Sequence, residues 1–413
     1  MLWQALSTLG LGGPLCPNLR ELRIDISNTP FEVPYQIKPL LTSSLRSIAI
    51  YDSPHKNYDC TVCIILDMLR FCNADILDIF YEGYMMHHIP ERAMRFPNLI
   101  SVSLPSDSSG RIIKNPITPF LRNLATLELN LDCFRDDETL HKLGKWFETL
   151  VSLTSLTLHG CLGDIHKCIH DLNPITSIYS FGLHRRPSSE TQMTQMDMAH
   201  LIPLLVSIFP KLHSLLLEGI GKNTSVVTLN DLMSFRERPM QALDLINCLE
   251  STETNIMEIV RAWPTLERLW IEGGKVSARY ILPFISCSAP SLRDLSLPVD
   301  FPLASLPEKD LYSSRKFSTE SPLEFPHIWS QPNEVVCPLH HLRISSIRTT
   351  MDFCQTLGYA RKLIELFPRL RVFSELDTET IRWKKCFSDL HVAINVLQDT
   401  ISSPPRRLDR LFI

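Results

Sequence analysis

The stretch that decides the fold is Leu153-Thr154-Ser155-Leu156-Thr157-Leu158, followed by Cys161. Its last two leucines are two residues apart, so they lie on one face of an extended strand. The first leucine stands three residues earlier, where the chain enters that strand. The cysteine supplies a small, weakly polar side chain where the backbone turns away. The pattern predicts one short buried strand. It indicates a repeat fold only if it recurs along the chain.

The same three apolar positions, here called the first, second and third anchors, recur along the whole chain. The strong copies begin at Leu19, Leu45, Leu99, Leu124, Leu153, Ile178, Leu212, Met240, Leu266, Leu292, Leu339 and Leu408. Weaker copies are Ile76-x-x-Ile79-x-Tyr81 and Leu370-x-x-Phe373, where Glu375 takes the third position. From Leu19 to Leu292 the intervals are 26, 31, 23, 25, 29, 25, 34, 28, 26 and 26 residues. Most fall within the roughly 20–29 residues of a leucine-rich repeat.

In six of these units a proline stands two residues before the first anchor. The form apolar-Pro-x-Leu occurs in the segments that begin at Cys16, Phe96, Phe209, Trp263, Ala289 and Phe367. Proline cannot continue a helix and biases the preceding residue toward extended conformations. Apolar residues at helical spacing stand upstream, over 139–150, 196–209, 256–263, 278–285 and 360–367. The predicted unit is therefore a helix, a proline stop and a strand.

Parallel strands joined by helices form right-handed crossovers, which place strands on one side and helices on the other. We therefore predict an α/β leucine-rich-repeat solenoid, a curved horseshoe with a concave strand face and a convex helix face. The predicted divisions are a solenoid over 1–300, an inserted surface loop over 301–336 and an irregular continuation over 337–413. The alternative for the insertion is a degenerate repeat around Leu303-x-x-Leu306.

Composition narrows the class of protein. The net charge of −4 and the pI near 6.4 argue against nucleic acid as the main partner. The longest apolar run, 201–209, is much shorter than the roughly 18 residues that span a bilayer. The N-terminus has no basic segment of a secretory signal, and cysteines stand at apolar positions of the repeats, as at Cys161 and Cys248, or on predicted helices. We expect a protein of the cytoplasm or nucleus, without a membrane partner.

One cluster of metal-binding residue types interrupts this picture. His159, Cys161, His166, Cys168 and His170 fall within twelve residues, and His166 and His170 have the i, i+4 spacing of one helix face. The spacing matches no zinc pattern, and Cys161 already has a repeat position, so packing is the expected role. The chain also lacks a Gly-rich phosphate loop, a G-x-S-x-G and an H-E-x-x-H motif. We expect no catalytic residue, no metal and no cofactor, and hence no enzyme.

The copies of apolar-Pro-x-Leu-x-x-Leu-x-Leu, some followed by a cysteine as at Cys161 and Cys248, resemble the leucine-rich half of F-box proteins, particularly the large fungal set. The resemblance implies a substrate receptor of a cullin-type SCF ubiquitin ligase. In that family an N-terminal F-box docks on a Skp-type adaptor, and the repeats hold the protein to be ubiquitinated. No Leu-Pro-x-Glu opening of an F-box precedes Leu19. We therefore expect an upstream part to be missing, and adaptor binding is assigned to no residue here.

The strand pattern also predicts a binding face. The residue between the second and third anchors, and the residue after the third, point away from the anchors. The predicted partner-binding residues at these positions are Glu128, His159, His184, Leu216, Glu218, Asp244, Trp270 and Glu272. Acidic groups around an exposed aromatic suit a partner segment that carries Lys or Arg. The alternative is a solvated face on which neighbours partly cover Trp270.

Two functions remain open at this point. The first is a non-catalytic substrate-recognition module of a ubiquitin ligase, which binds a protein substrate on its concave face. The second is a free-standing repeat scaffold or a regulator of a small GTPase, without a ligase link. Adaptor binding by the full-length gene product distinguishes the two.

Overall fold

A computed structural model describes the residues 16–25, 37, 40–52, 64–68, 72, 74–81, 99–104, 123–131, 137–185, 198–219, 227–249, 251–274, 276–301, 337–347, 360–361, 363–375 and 384–402. The chain divides into two compact units, Met1–Ser225 and Val226–Ile413. Each is a mixed α/β structure built on parallel strands, and each is described by itself below.

The first unit contains a parallel sheet whose strands follow one another in chain order. They are β1 (Glu21–Asp25), β2 (Ser47–Asp52), β3 (Ile76–Tyr81), β4 (Ser101–Leu104), β5 (Thr126–Asn130), β6 (Ser155–Gly160), β7 (Ser180–Arg185) and β8 (Ser214–Glu218). Its helices with defined bounds are α1 (Asp137–Thr149), α2 (Leu162–Ile169) and α3 (Met198–Ile208). The sequence placed α1 and α3 within two residues of these bounds, which confirms both predictions.

The second unit repeats the arrangement. Its strands are β9 (Ala242–Ile246), β10 (Arg268–Glu272), β11 (Val276–Ser277), β12 (Asp294–Phe301), β13 (His341–Ile347) and β14 (Val372–Glu375). The parallel order is β9-β10-β12-β13-β14, and the short β11 also pairs with β12. The helices are α4 (Leu229–Leu232), a 3₁₀ turn (Met233–Phe235), α5 (Glu253–Ala262), α6 (Ala278–Ser288) and α7 (Lys384–Ser402).

The anchors form the core in both units, as the spacing predicts. The three anchors of the copy at Leu153 are fully buried, and so are those of the copies at Ile178 and Leu339. Between anchors the exposure rises, giving the alternation of a sheet with one buried face. Burying one such side chain contributes roughly 1.5–3 kcal/mol, so the repeated anchors supply most of the stabilising surface.

The weak copy at Ile76 was placed in the wrong frame. Leu77 and Ile79 align with the anchors Ile48 and Ile50 of β2, whereas Ile76 is 38% exposed. The first anchor of this copy is Ala74, which is 1% exposed. The predicted pattern required a large aliphatic first anchor, whereas the small side chain of Ala74 fills that position in this copy. With Ala74 in place, the intervals of 31 and 23 residues become 29 and 25.

The proline before the first anchor is the second residue of a β-turn. The first anchor's N–H donates to the carbonyl oxygen of the residue before the proline, at 3.0–3.4 Å, in the copies at Leu19, Leu212, Leu266, Leu292 and Leu370. Proline suits this position because its ring fixes φ near the value that the turn requires. Trp263 and Ala289, which end α5 and α6, have left the helical region, with ψ of 79° and 76°. The predicted proline stop is confirmed there.

A second backbone feature ties successive copies together. Within each unit, the carbonyl oxygen of the residue after a first anchor accepts two consecutive N–H groups from the next copy, at 2.7–3.1 Å. In the first unit this begins with Arg20, which accepts from Arg46 and Ser47. In the second unit it runs from Gln241 to His340. The register of each strand is therefore fixed at its start.

Two predictions fall on residues that the structure does not describe. They are the inserted loop, apart from Phe301 at the end of β12, and the last copy at Leu408. Residues 360–361 and 363–366 are helical, as the pattern over 360–367 predicts. Among the helices in the described ranges, none is both long enough and apolar enough to cross a bilayer.

Candidate functional site

Six of the eight predicted binding residues belong to two rows of side chains, one in each unit. Glu128 and His159 lie on β5 and β6, His184 on β7, and Leu216 and Glu218 on β8. We call Ser103, Glu128, His159, His184 and Glu218 the histidine row. In the second unit, Asp244 lies on β9 and Trp270 and Glu272 lie on β10. Asp244, Arg268, Trp270, Ser296 and Arg343 are called the tryptophan row.

Glu128 joins two neighbours of the histidine row. Its register partner on β4 is Ser103, whose Oγ donates to Oε2 at 2.7 Å. The Nε2 of His159 lies 2.6 Å from Oε1 and donates to it, because an ionised carboxylate only accepts. His159 itself is 9% exposed, more buried than expected of a residue on an open face. One carboxylate therefore fixes side chains from two neighbouring strands.

The rings of His159 and His184 stack. Their centroids are 4.3 Å apart and their planes differ by 5°. The two residues are register partners on β6 and β7, and neighbouring strands are spaced by about 4.8 Å, so the sheet holds the rings at stacking distance. The Nδ1 of His184 then donates to Oε2 of Glu218, its partner on β8. The result is a stacked pair of imidazoles with a carboxylate on each side.

Both carboxylates are stabilised in their ionised form. Burial raises the pKa of Glu128, but the hydrogen bonds from His159 and Ser103 outweigh burial and hold the pKa below its ordinary value. The hydrogen bond from His184 lowers the pKa of Glu218, and burial opposes that effect only in part. The row thus presents two anionic groups whose lone pairs are partly used within the row.

Leu216 lies on the same register line as Glu128, two residues before Glu218, where neighbouring strands are closely packed. Its register partner on β7 is Gly182, and Gly182 pairs with Thr157 on β6. A Cβ at Gly182 would lie 2.8 Å from Oγ1 and 3.0 Å from Cγ2 of Thr157. Only glycine leaves room for the threonine side chain. Leu216 is half-buried.

The histidine row does not have the connectivity of a catalytic triad. In a triad the serine donates to a histidine, and a carboxylate orients the other ring nitrogen. Here Ser103 donates directly to Glu128, and His159 donates to the same carboxylate. Among the described residues, this connectivity orders Ser103 and His159 around one carboxylate and does not reproduce a triad.

The tryptophan row contains an ion pair between a buried acid and an exposed arginine. Asp244 is 3% exposed, although the sequence predicted a solvent-facing acid. Arg268 donates to both of its oxygens, through Nε at 3.1 Å and Nη2 at 2.9 Å. Burial raises the pKa of Asp244, and the charge of Arg268 lowers it without fully compensating. The negative charge expected at this position is therefore already paired.

Trp270 is covered by an arginine from two strands away. Its register partner on β12 is Ser296, and Ser296 pairs with Arg343 on β13. The guanidinium carbon of Arg343 lies 5.5 Å from the indole centroid, within cation–π range. The serine between them is small enough for the arginine to reach across. Trp270 is therefore half-buried, and the alternative in which neighbours partly cover it is the one observed.

Two buried polar atoms in this row have no hydrogen-bond partner among the described residues. They are the indole Nε1 of Trp270 and the Oγ of Ser296. Each such atom costs about 1–3 kcal/mol of desolvation when left unpaired. Arg343 itself is exposed and makes no ion pair in the described ranges. Three hydrogen-bond donors without acceptors thus lie in one row.

Glu272 stands apart from both features. It is half-buried at the end of β10, opposite Ile246. Its carbonyl oxygen accepts the N–H of Asn247 at 2.9 Å, and Asn247 has a φ of 52°. The backbone of Glu272 therefore supports a turn that follows β9.

Sequence reasoning did not include Ser103, Arg268, Ser296 or Arg343 among the predicted binding residues. Ser103 and Arg343 stand between the second and third anchors of their copies, the position that was used for Glu128. Arg268 precedes Trp270 by two residues and thus shares its face of the strand. The positional rule itself places Ser296 and Arg343 on this face, although neither was chosen as a partner-binding residue, and applied to the copy at Leu99 it also finds Ser103.

The structure separates the residues considered for a metal. His159 belongs to the histidine row, and Cys161 caps α2, where its Sγ accepts the N–H of Asp164 at 3.4 Å. Cys168 is buried, and burial raises the pKa of its thiol far above the ordinary value. His166 and His170 stack on each other at 5.2 Å. In the described part of the chain, no three ligand side chains converge on one point.

Comparison with known proteins gives no relative from which to transfer a role. No model of a protein family matches the chain, and a search of the curated proteins finds no match. The two rows are therefore interpreted from their own geometry.

Proposed function

We propose that the protein is a leucine-rich-repeat solenoid that binds another protein on its strand face, and that it recognises substrates for a cullin-type ubiquitin ligase. The module is non-catalytic in this proposal. The ligase link comes from the resemblance of the repeats to F-box proteins, with their prolines and the cysteines at Cys161 and Cys248.

The observation that supports protein binding is that the two faces of the strands differ in burial and in side-chain chemistry. Anchor side chains on one face are buried, whereas the other face carries rows of hydrogen-bonding and aromatic groups that are partly open to solvent. In the histidine row, His184 and Glu218 keep 27% and 38% of their side-chain surface exposed. Such partly ordered polar and aromatic groups are what a protein interface uses for specificity.

A charge reversal in the histidine row tests the binding face. The protein captured by the tagged chain from an extract of its source is first identified by mass spectrometry and purified. We expect Glu218→Lys to weaken its binding at least about tenfold, because the row then repels the group that Glu218 attracts. The matched control is Lys142→Glu, an exposed charge reversal on α1 of the same unit. Equal loss in both variants, or loss only in the control, contradicts the proposed face.

Adaptor binding tests the ligase link separately. The full-length gene product is expressed with a Skp-type adaptor and analysed by size-exclusion chromatography. Co-elution is the expected result. If the adaptor does not bind while the captured protein still does, the protein is a free-standing scaffold and the ligase link is wrong.

A further inference from the structure

Around Trp270 the tryptophan row contains unpaired donors and a positive charge, whereas its one carboxylate, Asp244, is already paired with Arg268. Trp270 Nε1 can only donate a hydrogen bond, and Ser296 Oγ donates as readily as it accepts. Both are buried and unpaired among the described residues. Arg343 adds an exposed guanidinium that the indole ring holds at 5.5 Å. An anion can satisfy all three groups, because each of them can donate a hydrogen bond to it.

We infer that Arg343, Trp270 and Ser296 form a binding site for a carboxylate that a partner polypeptide presents. Arg343 lies over Trp270 when the site is empty. On binding it swings toward the ligand and donates to the carboxylate, which brings an acceptor to the indole N–H and to the serine hydroxyl. The identity of the carrier as a polypeptide rests on the proposed function, whereas the carboxylate chemistry does not.

The charge balance selects a carboxylate over a phosphate. Arg268 is engaged with both oxygens of Asp244, so its charge is not available to a second anion. Arg343 alone contributes one unpaired positive charge, which a single carboxylate neutralises. A phosphate dianion would leave excess negative charge next to Asp244, the register partner of Trp270.

This site prefers an acidic partner group, whereas the sequence predicted a preference for a basic one. The acids around Trp270 suggested a partner segment with Lys or Arg. Asp244 is instead neutralised by Arg268, and the group that covers the indole ring is a cation. The partner group that fits is therefore the side chain of Asp or Glu, or the C-terminal carboxylate of a polypeptide.

The test uses the full-length protein labelled with ¹⁵N and three capped tripeptides. Ac-Gly-Glu-Gly-NH₂ presents a side-chain carboxylate, Ac-Gly-Gly-Gly-OH presents a C-terminal carboxylate, and Ac-Gly-Gln-Gly-NH₂ is the uncharged control. The readout is the indole ¹H–¹⁵N signal of Trp270, identified among the six tryptophans as the signal that Trp270→Phe removes. This signal reports a new hydrogen bond at Nε1 directly.

We expect a saturable downfield shift with the glutamate peptide and none with the glutamine peptide. Arg343→Gln is expected to weaken binding of the glutamate peptide at least about tenfold, and Ser296→Ala only a few-fold, because a charged hydrogen bond contributes more than a neutral one. Arg293→Gln, an exposed arginine of the same unit, is the matched control and keeps binding within about twofold. A shift with the C-terminal carboxylate alone supports the site and identifies that source.

Three results would overturn the assignment. They are the absence of a saturable shift with both carboxylate peptides, equal shifts with the glutamate and glutamine peptides, and unchanged binding in Arg343→Gln. If the peptides bind through Arg343 while capture of the protein partner does not need it, the carboxylate site stands and its role in the proposed function fails.

Discussion

The histidine row and the tryptophan row lie on the same face of their strands, and Glu128 and Asp244 share one position of the repeat, but the carboxylates of the two rows respond to opposite forces. Glu128 and Glu218 receive hydrogen bonds from imidazoles and keep a pKa below the ordinary value. Asp244 is almost fully buried, and its pKa is raised despite the bidentate Arg268. A carboxylate at the same place in the repeat therefore stabilises one unit in its charged form and weakens the other.

This difference shows that the repeat pattern specifies only one of the two faces of each strand. The anchor face is the same in both units, because any large aliphatic or aromatic side chain fills it. The other face depends on which side chains meet across neighbouring strands. Glu128 meets Ser103 and His159, whereas Asp244 meets Arg268. Those pairings set the charges and hydrogen-bonding groups that this face presents.

The largest expected effect tests the anchor face, which the two units share. Phe181→Ala in the first unit and Leu269→Ala in the second each remove a fully buried anchor. We expect each to lower the free energy of unfolding by about 3–5 kcal/mol through lost burial and the cavity left behind. Urea denaturation followed by circular dichroism measures the loss. Thr157→Ser, on the opposite face, serves as the control and changes stability by less than about 0.5 kcal/mol. A small effect in one unit only would break the equivalence of the anchor faces.

The next effect concerns the close packing at Gly182. Gly182→Ala places a methyl group 2.8 Å from Oγ1 of Thr157, so we expect a loss of about 1–3 kcal/mol. In the Thr157→Ala background most of this loss is expected to disappear, because the clashing atoms are gone. A double-mutant cycle by thermal unfolding measures the coupling. Additive effects of the two substitutions would show that the contact is not the cause.

The opposite pKa directions give a pH-dependent comparison. The lowered pKa of Glu128 means that its charge stabilises the fold above its unfolded pKa of about 4.3, and that this contribution is lost as pH falls through the folded pKa. Glu128→Gln should cost about 1 kcal/mol at pH 7 and progressively less below pH ~4.3.

Asp244→Asn should behave in the reverse sense. Because the pKa of Asp244 is raised, its ionisation weakens the fold as pH rises above the unfolded pKa of about 3.9. Relative to the parent protein, the variant therefore gains stability as pH rises from 3 toward 7. Its weaker bond to Arg268 opposes this gain. The melting temperatures of both variants and of the parent protein are measured at four or five pH values. The same trend in both would contradict the contrast between the rows.

The smallest expected effect is the contact between Arg343 and Trp270. Arg343→Met keeps a long side chain over the indole ring but removes the charge, so we expect a loss of about 0.5–1 kcal/mol. Arg293→Met is the exposed control and should leave stability unchanged. Equal melting temperatures for Arg343→Met and the parent protein would show that the cation does not stabilise the ring.

Much of the fold was predictable because it depends on spacing. The anchors at Leu153, Leu156 and Leu158 fix a strand, and the proline after Trp263 fixes the end of a helix, through local geometry alone. The frame of β3 was missed because Ala74 fills an anchor position that the search reserved for larger residues. The positions of the candidate rows were predicted as well, since alternation along a strand follows from its pleat.

The sequence by itself determined the parallel strands, their anchors and the positions that point away from those anchors, because these follow from residue spacing within one copy. Only the tertiary structure decided that His159 stacks on His184, that Arg268 neutralises Asp244 and that Arg343 covers Trp270. Each of these pairs joins residues about 25 to 75 positions apart, which the register of neighbouring strands brings together. Whether a side chain is free to bind a partner depends on those neighbours, and no single copy of the repeat contains them.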